Sequence, residues 1–236
     1  PGRRPGVLSS DGRTAPVTAG VRLVMLGRQG AGKGTQCTRL SRHYVVPHIS
    51  TGEMLRAAAK EGTELGRKAA EIMNEGGLVP DDVMIGIVDE RLDHDDTTRR
   101  GYILDGFPRT VPQAKALAEI TVGRPLDMVI DLDVPQEVVL RRLASRRVCA
   151  DCGANYSVDK PPRYDCVCDN CGGEVEQRED DTPAAIEKRL AEYERETAPL
   201  IDWYRDRGLL EVVDGQGSTN EVSQRLFTVI DVRRGG

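Results

Sequence analysis

Two groups of residues in this 236-residue chain have the types and spacing for chemistry. The first is Gly27-Arg28-Gln29-Gly30-Ala31-Gly32-Lys33-Gly34-Thr35. Three glycines, Gly27, Gly30 and Gly32, followed by lysine, make a loop whose backbone N–H groups converge on phosphate oxygens. Glycine supplies the backbone freedom that such a turn needs. A helix starting there adds partial positive charge, and Lys33 adds a full one. Gly34 stands where most loops of this kind carry Ser or Thr, and the hydroxyl comes one place later, at Thr35. The second group is Cys149-x2-Cys152, fifteen residues, then Cys168-x2-Cys171. Two short knuckles at this spacing are the signature of a closed, tetrahedral, structural zinc site. Cys166 is left over from a four-coordinate site, with a Cys166–Cys171 pairing as the alternative. Five of the six cysteines lie between 149 and 171. That clustering suits a metal site in a reducing compartment better than a disulfide framework. Cys37 reads as a small buried apolar residue.

These groups need elements to hold them. VRLVML ends at Gly27 and reads as a buried strand, with a helix over about 33–44 behind the glycines. GYIL (101–104), DMVIDL (127–132) and LLEVV (209–213) read as three more buried strands. Helical patterns cover 53–60, 64–74, 82–92, 113–119, 135–147, 183–206 and 220–230. Asp81 reads as a cap for the third of these, and Thr182-Pro183 as a cap with a first-turn proline. Alternating strands and helices predict an α/β fold, a parallel sheet covered on both faces. The stretch 148–181 has no helical period and is too long for an ordinary loop, so it should be a small subdomain with its own source of stability.

Charge and composition exclude several classes. With 33 basic and 38 acidic residues the net charge is −5, which disfavours a nucleic-acid binder. Glu174, Glu176, Glu179, Asp180 and Asp181 likewise argue against a zinc module that grips nucleic acid. No apolar run reaches the ~18 residues that a membrane span requires. Residues 1–20 carry no apolar stretch of signal-peptide type and read as a flexible extension. His43, His48 and His94 stand in no recognisable nucleophile setting.

Several separate motifs together resemble the adenylate kinases among the nucleoside monophosphate kinases. They are GRQGAGKGTQ (27–36), ISTGEMLR (49–56), GYILDGFPRT (101–110), RRV (146–148), REDD (178–181) and EKRL (187–190), and the likeness runs from Val21 to about Ile230. The resemblance implies a phosphate-loop NTPase core at 21–49, 80–144 and 182–236. It also implies a helical monophosphate-binding segment at 50–79 and a zinc-ribbon-like lid at 145–181, with 1–20 outside the kinase domain. It implies the reaction MgATP + AMP ⇌ 2 ADP in a cytoplasmic monomer, with a kinase preferring UMP, CMP or GMP as the alternative. By the same resemblance Lys33, Arg109, Arg146, Arg178 and Arg189 carry the catalysis. Arginine suits this because its planar fork grips phosphate oxygens with paired bonds. Arg142 and Arg147 are as well explained by a solvated helix face. ATP would meet Gly30, Ala31, Gly32, Lys33, Gly34, Thr35 and Arg146, with Asn155, Tyr156 and Gly217 near the adenosine. AMP would meet Thr51, Arg56, Gly77, Leu78, Val79, Gly106, Phe107, Pro108, Arg109, Gln113, Arg178 and Arg189. Gln113 has the amide donors and acceptor to read an adenine edge, and Thr51 accompanies it in AMP-selective members. Asp105, ending a strand beside the phosphate loop, would orient magnesium through water. The family's spacing favours Cys168 over Cys166 as the zinc ligand.

Overall fold

The computed structural model describes residues 20–235. The expected extension at 1–20 therefore lies, but for Gly20, outside the described residues. The chain opens with β1 (Arg22–Leu26), the phosphate loop and α1 (Lys33–Tyr44), then β2 (His48–Ser50). Two short helices follow, α2 (Thr51–Lys60) and α3 (Glu64–Asn74), then α4 (Asp81–Leu92) and α5 (Asp95–Arg100). β3 (Tyr102–Asp105), α6 (Val111–Ile120), β4 (Met128–Asp133) and α7 (Gln136–Ser145) continue the alternation. Three short strands interrupt it: β5 (Arg146–Cys149), β6 (Asn155–Ser157) and β7 (Val175–Glu176). The chain then returns through α8 (Pro183–Glu192), a π-turn at Tyr193–Thr197, α9 (Pro199–Arg205), β8 (Leu210–Asp214) and α10 (Thr219–Gly235).

The main sheet is parallel, in the order β2-β3-β1-β4-β8. Successive residues of its strands point to opposite faces, and both faces are buried. Leu23, Met25, Ile103, Ile130 and Leu132 pack against α1, α7, α8 and α10. Val24, Leu26, Leu104 and Val129 pack against α2, α3, α4, α6 and α9. Burial on both sides is why these strands read as unbroken apolar runs and not as alternation. Register brings Ser50 and Met25 opposite Asp105, so the carboxyl ends of β2, β3 and β1 finish together. Open parallel sheets bind ligands in the crevice outside those ends.

Several expectations are corrected. β2 and α5 were not anticipated. The helix expected over 135–147 stops at Ser145, and Arg146 begins a strand. The helix expected over 183–206 is broken by the π-turn. Pro199 explains the break, because its ring crowds the carbonyl four residues back and it has no N–H to give. Asp81 is not a cap: Pro80 holds that position, and Asp81 is the first residue of α4. The subdomain is an antiparallel three-stranded sheet, β6-β5-β7.

Candidate active site

One cleft of about 1040 Å³ opens at the carboxyl ends of the sheet, between the phosphate loop, the α2–α3 arm and the small antiparallel sheet. Its floor is the loop after β1. Gly27, Gly30 and Gly32 all take positive φ, at 129°, 82° and 105°. A side chain at Gly27 would strike the Leu132 carbonyl oxygen at 2.6 Å, so here the turn itself demands glycine. Gly32 is the N-cap of α1 with no side-chain cap, which leaves the first N–H groups for a ligand. Lys33 Nζ donates to the Gly27 and Arg28 carbonyls at 2.7 and 3.0 Å. Burial lowers its pKa and Asp105 partly offsets this, while Arg109 and Arg189 add to the lowering.

Asp105 sits at the end of β3. Burial would raise its pKa, but His48, Lys33 and Arg109 outweigh burial and hold it below the usual carboxylate range. A carboxylate kept ionised beside a phosphate loop is a hard oxygen donor of the kind magnesium takes. His48 is not a bland residue: its Nε2 lies 3.5 Å from Asp105 Oδ2. Cys37 Sγ completes a close trio with these two, so it is buried, as expected, but not in wholly apolar surroundings.

The arginines arrive from five places in the chain: α2, the β3–α6 loop, β5, the β7–α8 loop and α8. Arg109 follows Gly106, Phe107 and a cis Pro108; its Nε donates to the Gly106 carbonyl at 2.8 Å. Its own carbonyl accepts from Thr197 Oγ1 at 2.9 Å, a contact the π-turn makes. Arg146 forms a two-pronged pair with Asp181, and Arg178 forms one with Asp180. Arg189 Nε donates to Gln29 Oε1 at 2.6 Å, and its Nη1 lies 3.2 Å from Asp180 and 3.4 Å from Asp181. Arg56 lines the same cleft. Burial and neighbouring guanidinium groups depress Arg56 and Arg189 to about 10 each. Crowded like charges of this kind mark a place built for a polyanion.

The antiparallel subdomain, the expected lid, lines the same cleft. Lys60 Nζ on α2 lies 3.2 Å from Asp151 Oδ1, and Asn74 Nδ2 on α3 donates to Glu179 at 3.0 Å, so arm and lid touch across the mouth. In the lid, the sulfurs of Cys149, Cys152, Cys168 and Cys171 all lie within 4.8 Å of one another. The Cys149–Cys171 and Cys152–Cys168 sulfur pairs are each 3.5 Å apart. A tetrahedral ion at zinc–thiolate distance separates its sulfurs by ~3.8 Å, whereas a disulfide needs ~2.05 Å. The donor set therefore fits a four-thiolate metal. Cys166 is exposed, at φ 58°, and is not one of the four. The Cys168 thiol is pulled down to about 6 by the Tyr156 hydroxyl.

A family model described as adenylate kinase matches residues 25–209. The adenylate kinase of Caldicellulosiruptor bescii is 46% identical over 215 residues, 90% of this chain and all of that protein. Those of Methanosarcina mazei and Archaeoglobus fulgidus are 46% and 48% identical over 211 and 212 residues. These alignments cover 88% and 89% of this chain and 97% of each relative. The chain belongs to the adenylate kinase family. It is a phosphotransferase.

In this adenylate kinase, most of the residues singled out in the sequence line one cleft or the recess beside it. Gly30, Gly32, Lys33, Gly34, Thr35, Arg56, Gly77, Leu78, Asp105, Gly106, Pro108, Arg109, Arg146, Asn155, Tyr156, Arg178 and Arg189 line the cleft. Thr51, Val79 and Gln113 line a smaller recess that shares Gly77, Leu78, Gly106 and Arg109 with it. Three do not line either cavity. Phe107 turns into the apolar core. Ala31 is buried, its carbonyl accepting from Arg142. Gly217 lies in the β8–α10 loop against Glu221. Tyr156 spends its hydroxyl on the lid, donating to Cys168 and accepting from the Asp169 N–H.

Other residues were missed or undervalued. Asp180 and Asp181 read as acidic surface, yet both are buried against arginines. Their alternation with Arg178 in REDD was the available signal. Arg142 lies on the cleft wall and binds the Ala31 and Gly215 carbonyls, so it is more than a solvated helix face. Arg147, by contrast, bonds only its neighbour's carbonyl among the contacts described. Gln29 and Thr197 carried no sequence signal, because their partners are 160 and 88 residues away.

Proposed function

We propose that this adenylate kinase moves a phosphoryl group from MgATP to AMP, giving two ADP, by positioning and charge neutralisation alone. The acceptor is already an anionic phosphate oxygen, so no general base is required. The phosphate loop and Lys33 hold the donor phosphates, and Gly34 and Thr35 open the helix whose N-terminus faces them. Arg109 and Arg56 hold the AMP phosphate. Arg146, Arg178 and Arg189 surround the group in flight, where extra negative charge builds on its oxygens. Thr51 and Gln113 read the adenine of AMP in the small recess. Asn155 and Tyr156 lie beside the ATP adenosine. Magnesium, held through water by Asp105, would screen and orient the donor phosphates. Cys149, Cys152, Cys168 and Cys171 would hold zinc, which supplies the lid with a crosslink in place of a core.

The observation that carries this reading is the convergence of Lys33 and six arginines on one cleft with a phosphate loop as its floor. The moving parts follow the sequence division, an arm at 50–79 and a lid at 145–181 around the core. A monomer in the cytoplasm completes the proposal. The thiol-rich site, suited to reducing conditions, supports that compartment.

The test is ADP formation from MgATP with each monophosphate in turn. AMP should exceed UMP, CMP and GMP in kcat/KM by at least tenfold. Equal or better rates with UMP would overturn the AMP assignment in favour of the alternative acceptor class.

A further inference from the structure

The acidic residue at the start of α4 does something no helix cap does. Asp81 makes no bond to the N-terminus of its own helix. Its carboxylate reaches across to α6 instead. Oδ1 accepts from Gln113 Nε2 at 2.7 Å, and Oδ2 accepts from Thr110 Oγ1 at 2.9 Å. Gln113 is only 2% exposed, and its Oε1 accepts the Arg109 backbone N–H at 2.8 Å.

These two partners leave the amide no choice of orientation. An ionised carboxylate only accepts, so it must face the amide nitrogen. A backbone N–H only donates, so it must face the amide oxygen. A side-chain amide has two N–H groups and two lone pairs. One of each is used, which leaves one donor and one acceptor in a fixed order at the edge of the recess. A 6-aminopurine offers a ring-nitrogen acceptor next to an amino donor, the complement of that order. A 6-oxopurine offers a ring N–H donor next to a carbonyl acceptor, and it fits only if the amide is turned over.

We propose that Asp81 is a specificity-determining positioning residue, which locks the Gln113 amide in the order that accepts a 6-aminopurine monophosphate and rejects a 6-oxopurine one. Asp81 touches no substrate and acts through Gln113. The proposal rests on the reading that Gln113 meets the base. Rejection is strong when a buried polar group would otherwise face its own kind.

The experiment compares kcat and KM for AMP and IMP, which differ at the 6-position and the adjoining ring nitrogen. In Asp81→Ala the AMP:IMP ratio of kcat/KM should fall by about tenfold or more, the scale of one hydrogen bond to a charged group. The change should lie mainly in KM for IMP. Asp81→Asn keeps an acceptor for Gln113 and a donor for Thr110, so it should restore most of the ratio. Asp81→Ser, too short to reach, replaces the alanine variant if the latter does not fold. Gln113→Leu should raise KM for AMP by about tenfold. An AMP:IMP ratio unchanged in a folded Asp81→Ala or Asp81→Ser, with Gln113→Leu impaired, overturns the role of Asp81 and leaves the base reading standing. An unimpaired Gln113→Leu overturns both.

Discussion

The core and the lid of this molecule solve the same problem by different means. In the core, helices cover both faces of a five-stranded sheet, and side chains such as Leu23, Ile103, Leu104, Leu117 and Ile130 are wholly buried. In the lid, the apolar cluster among the described residues is Cys149, Cys168 and Val175, with Ala154 and Tyr156 partly buried beside it. Burying Val175 gives about 2 kcal/mol, which cannot offset the conformational entropy of ordering the whole lid segment. The core is therefore held by area, and on the proposed reading the lid is held by a metal on its four thiolates.

The largest expected effect separates the two most sharply. Stripping the metal from the four thiolates should abolish amide-exchange protection in β5–β7 and lower the melting temperature, while β1, β3 and β4 keep their protection. Apparent binding of structural zinc is on the order of 10 kcal/mol or more, so protection retained in the lid of verified metal-free protein would show that its strands hold without the ion. Next comes chemistry at the boundary. Arg109→Ala, from the core, and Arg146→Ala, from the base of the lid, should each lose at least ~10²-fold in kcat. A full rate in Arg146→Ala with Arg109→Ala impaired would place the lid outside the reaction. Cavities come third: Leu104→Ala should cost about 2–5 kcal/mol by denaturant unfolding, against about 1 kcal/mol for Val175→Ala.

Protons sharpen the contrast with opposite signs. Asp180, where the lid returns to the core, is pushed up by burial but pulled below 3.8 overall by Arg178 and Arg189. Its contribution to stability is therefore present above pH 3.8 and fades as pH falls through the lower folded value. Asp131, inside β4, is raised above 3.8 by burial and by Asp133. Its ionisation opposes folding, so its effect on stability improves as pH falls through its folded value. Asp180→Asn should flatten the acid limb of an unfolding profile, and Asp131→Asn should raise stability at neutral pH. The smallest effect belongs to the exposed Lys60–Asp151 bridge between arm and lid. Lys60→Ala should cost under about 1 kcal/mol of arm–lid coupling, and less at high salt. KM measured against ionic strength checks it.

What the sequence revealed follows from how local each signal is. The phosphate loop and the thiol knuckles are contiguous, so they were legible in full. Buried strands were legible because parallel packing makes them uniformly apolar, whereas the three residues of β2 are too few to show a pattern. Arg146 was expected on a helix and lies on a strand, because helical periodicity runs on past Ser145 until pairing with Ser157 takes over. Asp180, Asp181 and Gln29 were missed because their meaning lies in partners brought in by the fold. A carboxylate next to an arginine in sequence reads as surface until the chain is seen to bury both.

That burial has one more consequence. Arg146, Arg178 and Arg189 already have partners in Asp180 and Asp181, so on the proposed reading an incoming triphosphate would not fall into an empty well of positive charge. Arg146 and Arg178 each give only some of their five N–H donors to these carboxylates, so on the proposed reading a phosphate oxygen would be bound beside a resident anion whose like charge opposes it. The net grip on substrate would be softened accordingly. An enzyme whose reaction runs readily in both directions is well served by a site that never holds its anions too long.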